Sequence, residues 1–239
     1  MNASKQQLFL IGGKADAVLA DFIALAGGRS AHVAIVTHAS GVPRQSADDI
    51  VEQLRALHVT RITVLMPRDS QLPEDVDAIY IAGGDQERLV ARLDRNGLGE
   101  QIREALRRGV VAGSSAGAAA ASYVMIAGGM SDLVLRRDSL RLTKGLCLLP
   151  GVVMDTHFGN RSRESRLRAA VASVPGNIGI GLDEDTAVHV HKGFCRVYGT
   201  GFVWVFRAPF GEAVTWEEIA QGTRLAKYKA GEQFRLAEV

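Results

Sequence analysis

Gly109-Val110-Val111-Ala112-Gly113-Ser114-Ser115-Ala116-Gly117-Ala118-Ala119-Ala120-Ala121 is the stretch on which the reading of this chain turns. Its first four residues form a short apolar strand, and the alanines from 118 to 121 start a helix. Between them lies the pattern G-x-S-x-G, residues 113 to 117. A serine on such a strand-to-helix turn takes a strained backbone angle and raises its hydroxyl above the sheet. Only small neighbours leave room for that turn. The N–H groups that follow sit at a helix N-terminus, where they can stabilise an oxyanion. A turn that merely packs a helix closely on a sheet has a similar composition. Strand, elbow and alanine-rich helix in succession favour Ser115 as a nucleophile.

Outward from the elbow, apolar strands alternate with helices. Gln7 to Ile11 reads as a first strand, ended by Gly12-Gly13, and Ala15 to Ala26 as a helix capped by Gly27-Gly28. His32 to Thr37 is continuously apolar, as in a parallel strand buried on both faces. A helix from Ser46 to Leu57, strands at Arg61 to Leu65 and Ala78 to Ala82, and helices from about Gln86 and Leu98 lead into the elbow. This order predicts an α/β fold with three layers, α/β/α, around a doubly wound, mainly parallel sheet. Beyond it, Ala127 to Leu142 reads as a loop or hairpin, a candidate flap, and Val152 to Asp155 and Arg163 to Val174 as a strand and a helix. The C-terminal part is β-rich: Ile178 to Asp183, Thr186 to His191, Cys195 to Tyr198 and Phe202 to Phe206, with Lys192-Gly193 as a hairpin turn. With no repeat or linker, residues 1–239 read as one domain.

A hydrophobic content of 47% is ample for a core, and a net charge of +2 argues for neither a nucleic-acid nor a membrane partner. No stretch approaches the roughly 18 apolar residues of a membrane span, and the run from Leu8 to Ile11 is too short for a signal peptide. Cys147 and Cys195 lie far apart, as expected in a reducing compartment. These features predict a soluble cytoplasmic protein.

A serine nucleophile needs a base within reach and an acid to orient that base. His157, in Asp155-Thr156-His157-Phe158-Gly159-Asn160, lies at a strand end before a helix, where catalytic residues collect. His38 follows the second strand, at the kind of sheet edge where ligands bind, and is a lesser candidate for touching substrate. His189 and His191 share one face of a strand, more simply a solvated face of an edge hairpin than a metal site, because zinc wants three or four ligands. No other cluster suggests a metal. Gly181-Leu182-Asp183-Glu184-Asp185 ends a strand with three carboxylates, which are either the source of the acid that orients the base or a plain polar turn. Gly83-Gly84 allows close backbone approach to a ligand, and Arg161, Arg163 and Arg166 either form a solvated helix face or clamp carboxylates.

These segments resemble the cyanophycinase family, serine peptidases related to aspartyl dipeptidase. The resemblance rests on Ile11-Gly12-Gly13, Leu25-Ala26-Gly27-Gly28, and Ala34 to Ser40. It is sharpest at Ala82-Gly83-Gly84-Asp85-Gln86-Glu87-Arg88-Leu89, at Gly113 to Ala118, at Asp155-Thr156-His157-Phe158 with the three arginines, and at Gly179 to Ala187. It implies Ser115 as nucleophile, His157 as base, Glu184 as orienting acid, and Gly84 and Ala116 as oxyanion donors. Asp85, Gln86, Asp155, Arg161, Arg163 and Arg166 match the substrate pocket. It further implies a fold like class I glutamine amidotransferases, a homodimer, no cofactor or metal, and an Asp-rich, arginine-bearing peptide substrate. That substrate is multi-L-arginyl-poly-L-aspartate, released as β-Asp-Arg dipeptides. Thr156 stands where the family usually carries glutamine, and Lys14-Ala15-Asp16 where it carries an acidic-basic run. An aspartyl or isoaspartyl dipeptidase is therefore the alternative. Two further rivals are a non-catalytic metabolite-binding protein on the same scaffold and an α/β-hydrolase, in which the acid precedes the histidine.

Overall fold

β1 (Gln7–Ile11) begins the main sheet, and its side chains alternate between two cores, as a period of two requires. The computed structural model describes residues 6–128, 140–174, 176–207 and 224–237. Phe9 and Ile11 face a cluster built with α1 (Leu19–Leu25), β2 (His32–Val36) and α2 (Pro43–Ala56). Both helices start away from their expected positions. The Ala15 end of the first forms turns before Leu19, and the second opens three residues early, at Pro43, whose fixed φ suits a first helical position.

On the opposite face, Leu8 and Leu10 join a second cluster with side chains from the later strands and helices. After β3 (Arg61–Leu65) and β4 (Ala78–Ile81), this face is covered by α3 (Gln86–Asn96) and α4 (Leu98–Leu106). The Asp85 carboxylate accepts the Arg88 N–H and caps α3, while Gly97 at φ 71° closes it. β5 (Val110–Ser114) and the single turn α5 (Ala116–Ala119) form the strand and helix of the elbow. β6 (Val124–Gly128) and β7 (Arg141–Lys144) pair antiparallel, so the described ends of the expected flap are a hairpin; residues 129–139 lie outside the described residues.

β8 (Val152–Thr156), α6 (Glu164–Ser173) and β9 (Ile178–Leu182) follow, then β10 (Thr186–His191), β11 (Phe194–Gly199), β12 (Phe202–Arg207), β13 (Arg224–Lys229) and β14 (Gln233–Arg235). The main sheet has the order β14-β11-β10-β1-β5-β4-β2-β3. Its β1, β5, β4, β2 and β3 are mutually parallel; β10, β11 and β14 extend it antiparallel. The mixed α/β fold with a mainly parallel central sheet is as expected from the alternation.

The β-rich C-terminal part divides between two sheets, which the sequence did not disclose. Its other strands form a second sheet, β13-β12-β9-β8, whose inner face packs into the main core through Val152, Met154, Ile180 and Val205. Its outer face carries α6 and the fully buried Phe158 and Phe206, whose ring centroids lie 5.7 Å apart. Burying a ring of that size is worth roughly 1.5–3 kcal/mol, and here it anchors the loop after β8. The alternation of the β10 histidines is observed, but β10 lies between β1 and β11 and is no edge. His189 bonds to Gln7 Oε1 at 2.9 Å and stacks on His191, and burial, with His191 and Arg196 nearby, takes it down to about 4. No described helix is long and apolar enough to cross a membrane.

Candidate active site

The end of β1 is the meeting point. Ile11 O accepts the Ser115 N–H at 3.0 Å, Gly12 O accepts the His157 N–H at 2.6 Å, and Gly13 O accepts the Ser114 hydroxyl at 2.6 Å. These bonds draw the main sheet's elbow and the second sheet's β8 end to one spot. A Cβ on Gly13 would lie 2.6 Å from His157 Cε1, so this second glycine makes room for the imidazole. In the sequence Gly12-Gly13 stands as the stop of a strand and as part of the family resemblance, with no role in the site assigned to it. A glycine pair closing a buried strand was the available signal.

Ser115 sits at φ 50° and ψ −108°, the strained angle that an elbow serine needs. A Cβ on Gly117 would come within 2.4 Å of Ile81 O, so the helix start presses against β4. The Ser115 hydroxyl donates to His157 Nε2 at 2.8 Å, and His157 Nδ1 donates to Glu184 Oε1 at 2.7 Å. Because an ionised carboxylate only accepts, it fixes the proton on Nδ1 and leaves the Nε2 lone pair facing serine. Burial holds the His157 pKa below its ordinary 6.5, with Arg161 and Arg163 pushing the same way and the Glu184 bond opposing. The bond from His157 in turn keeps Glu184 below the usual carboxylate range. The serine thus faces a neutral imidazole at neutral pH.

Of the three carboxylates after β9, this arrangement engages Glu184. Asp183 is turned to Gly159, Phe202 and Trp204, and the backbone N–H of Asp185 bonds to Lys14 O. In an α/β-hydrolase the acid would precede His157, and Asp132 and Asp138, which stand before it in the chain, lie outside the described residues.

A cavity of about 250 Å³ opens beside the serine. Gly84, Gln86, Ala116, Asp155, Thr156, Arg161, Arg163 and Arg166 line it, with Ile126 and Ala127 of the β6–β7 hairpin. Gly84, at φ 139°, needs the conformational freedom of glycine, and a Cβ there would strike Ala39 O at 2.4 Å. Gln86 donates to Ile126 O at 2.8 Å and so holds the hairpin over the cavity. Asp85 does not line the cavity, because its carboxylate is used in capping α3. His38 is fully buried, 3.4 Å from Asp69 O, and does not reach the cavity either.

The three arginines are not equivalent. Asp155, 2% exposed, accepts Arg166 Nε at 2.9 Å and is bonded also to a terminal nitrogen of Arg166. Arg163 reaches Asp155 at 3.3 Å and Thr156 O at 2.6 Å. The exposed Arg161 side chain makes no hydrogen bond or ion pair among the described residues. One cation therefore stands at the cavity uncommitted. Among the described residues, no group of three or more His, Cys, Asp or Glu side chains is placed to hold a metal ion, and both cysteines are free thiols.

A strained elbow serine, hydrogen-bonded to a neutral histidine on a mainly parallel α/β scaffold, defines a serine hydrolase. The sequence profile described as Peptidase family S51 matches residues 8–197, and the chain belongs to that family of serine peptidases. It is 36% identical over 220 residues to a cyanophycinase of Nostoc sp., covering 85% of this chain and 74% of that protein. With the cyanophycinase of Geminocystis herdmanii it shares 37% over 218 residues, 84% of this chain and 80% of that one. The crystal structure of a peptidase from an acI-B1 Actinobacterium shares the fold at a TM-score of 0.71 and 22% identity, covering 97% of both chains. A putative peptidase E protein from Listeria monocytogenes does so at 0.62 and 19%, covering 82% of this chain and 99% of its own.

Proposed function

We propose that this S51 peptidase is an exopeptidase of cyanophycinase type, acting through Ser115, His157 and Glu184. The observation that carries the reading is the unbroken series of hydrogen bonds from Ser115 Oγ through His157 to Glu184. His157 Nε2 takes the hydroxyl proton as Ser115 Oγ attacks the carbonyl carbon of an aspartyl backbone bond. The N–H groups of Gly84 and Ala116 receive the oxyanion. His157 then gives its proton to the leaving amine, and water, deprotonated by the same histidine, releases the acyl group from Ser115. No cofactor or metal enters the scheme.

The substrate in this reading is multi-L-arginyl-poly-L-aspartate, cleaved to β-Asp-Arg. Two features support it: kinship with two cyanophycinases, and a cavity beside Ser115 where the Arg161 guanidinium, unpaired among the described residues, suits a carboxylate. Residues 1–239 act as one peptidase domain, in the cytoplasm, as a homodimer. The test is incubation with purified polymer and with Asp-X and β-Asp-X dipeptides, following released amines. Release of β-Asp-Arg from the polymer supports the reading. Turnover of dipeptides alone moves the protein to an aspartyl or isoaspartyl dipeptidase, and turnover of neither sinks the named substrates.

Arg161 is the substrate-carboxylate contact in this scheme, and its charge also lowers the pKa of His157. Activity needs neutral His157, so the acid limb of kcat/KM should fall below pH 6.5. In Arg161→Ala the limb should move toward higher pH, because a cation opposing protonation is gone. The same variant should raise KM roughly 10–100-fold, the worth of a charge-assisted hydrogen bond. A limb that stays in place or moves to lower pH would contradict the assignment.

A further inference from the structure

Asp183 precedes the carboxylate that meets His157, and both of its own carboxylate oxygens accept donors from two other segments. Its Oδ1 accepts the Gly159 N–H at 2.8 Å and the Trp204 indole N–H at 3.1 Å, while Oδ2 accepts the Phe202 N–H at 3.0 Å. Gly159 lies two residues beyond His157, and Phe202 and Trp204 begin β12. The backbone adds to this knot: the Asp183 N–H bonds to Phe202 O at 3.2 Å, and the Glu184 N–H to Asn160 Oδ1 at 3.2 Å. A Cβ on Gly159 would lie 2.9 Å from Asp183 Oδ1, and one on Gly201 would lie 2.7 Å from Asp183 Cβ. A side chain at either position would push against Asp183.

We infer that Asp183 is a positioning residue that locks the turn carrying His157 to the strand end carrying Glu184. His157 and Glu184 come from two strand ends, and where the ladder stops the backbone joins them through the Phe158 N–H, bonded to Leu182 O at 3.0 Å. The Asp183 carboxylate adds the side-chain tie, bound to the His157 turn, to β12 and, through the chain, to Glu184. A carboxylate is required rather than an amide. All three partners are N–H donors, so an asparagine would set its own NH₂ against one of them.

The inference rests on the proposed roles of Ser115, His157 and Glu184, and the test separates the two. The readout is the rate at which a fluorophosphonate probe labels Ser115, followed against pH, with labelling stoichiometry at saturation. Asp183→Asn should label roughly 10–100-fold more slowly, the range known for hydrogen-bond partners that orient metal-ligating side chains, with full final stoichiometry. Its acid limb should move to lower pH. Around His157 the charged groups are Glu184 from the β9 end and Arg161 and Arg163 from its own loop, with Lys14 and Arg161 also acting on Glu184. Of these, only the Glu184 contact raises the His157 pKa, so loosening it leaves burial and the arginines to lower it further. Trp204→Phe removes one donor while keeping a ring beside Phe158, and should show a smaller change in the same direction. A labelling rate within twofold of wild type, or reduced stoichiometry at an unchanged rate and limb, overturns the role of Asp183. Failure of the wild type itself to label overturns the catalytic reading beneath it.

Discussion

Replacing Ser115 by alanine should lower kcat by on the order of 10⁴–10⁶ while leaving KM and the melting temperature nearly unchanged. The change removes one oxygen, and the strained turn that presents it is held by backbone bonds to Ile11 and by the close approach of Gly117 to β4. The adjacent Ser114 cannot substitute, because its hydroxyl is committed to Gly13 O at 2.6 Å and is buried. His157→Ala should cost a comparable factor, and the double variant hardly more than either alone, because residues that act as a unit are not additive. Rates measured on the substrate found by the panel, with active-site labelling as a check, decide this. Residual activity above about 1% of wild type in Ser115→Ala would remove the serine from the chemistry.

Asp155→Ala should produce the largest loss of stability. Side-chain exposures of 3% for Asp155, 7% for Arg166 and 13% for Arg163 show that the three groups are largely buried in the wall of the cavity. Deleting the carboxylate removes the one buried acceptor that both guanidinium groups share. Breaking a buried pair in this way costs about 3–5 kcal/mol, which for a chain of this length lowers Tm by roughly 6–20 °C. Thermal unfolding followed by circular dichroism at neutral pH measures it, and a fall of less than about 3 °C would show that water or rearrangement relieves the charges. The same network explains why Asp155, though it stands two residues before His157, is not the acid that orients it: the arginines hold both of its oxygens.

Much of this protein was legible in the order of its residues. Continuous apolar runs such as His32–Val36 predict strands buried on both faces, and the intervening amphipathic stretches predict the crossover helices; both are short-range patterns that the backbone must satisfy locally. The elbow was legible for the same reason. Its glycines answer a steric demand made within five residues, and the observed φ of Ser115 is that demand met. His157 stood out by lying at a strand end and the arginines by following it closely, whereas Asp155 was singled out only through the family resemblance of its segment. What each of these does was not contained in that spacing.

Tertiary structure alone decided the rest, because the deciding contacts join residues far apart in the chain. Choosing Glu184 over Asp183 and Asp185 depends on which way each side chain leaves the end of β9, and bonds to Asn160, to Phe202 and Trp204, and to Lys14 set those directions. The unlike fates of Arg161, Arg163 and Arg166 depend on which of them the buried Asp155 can reach. The division of the C-terminal strands between two sheets has the same origin: strands with similar local patterns pair according to the partners they meet, with β10 beside β1 and β12 beside β9. That division brings the serine of one sheet against the histidine and glutamate of the other. Local propensity supplied each piece, and packing across the gap between the sheets supplied the site.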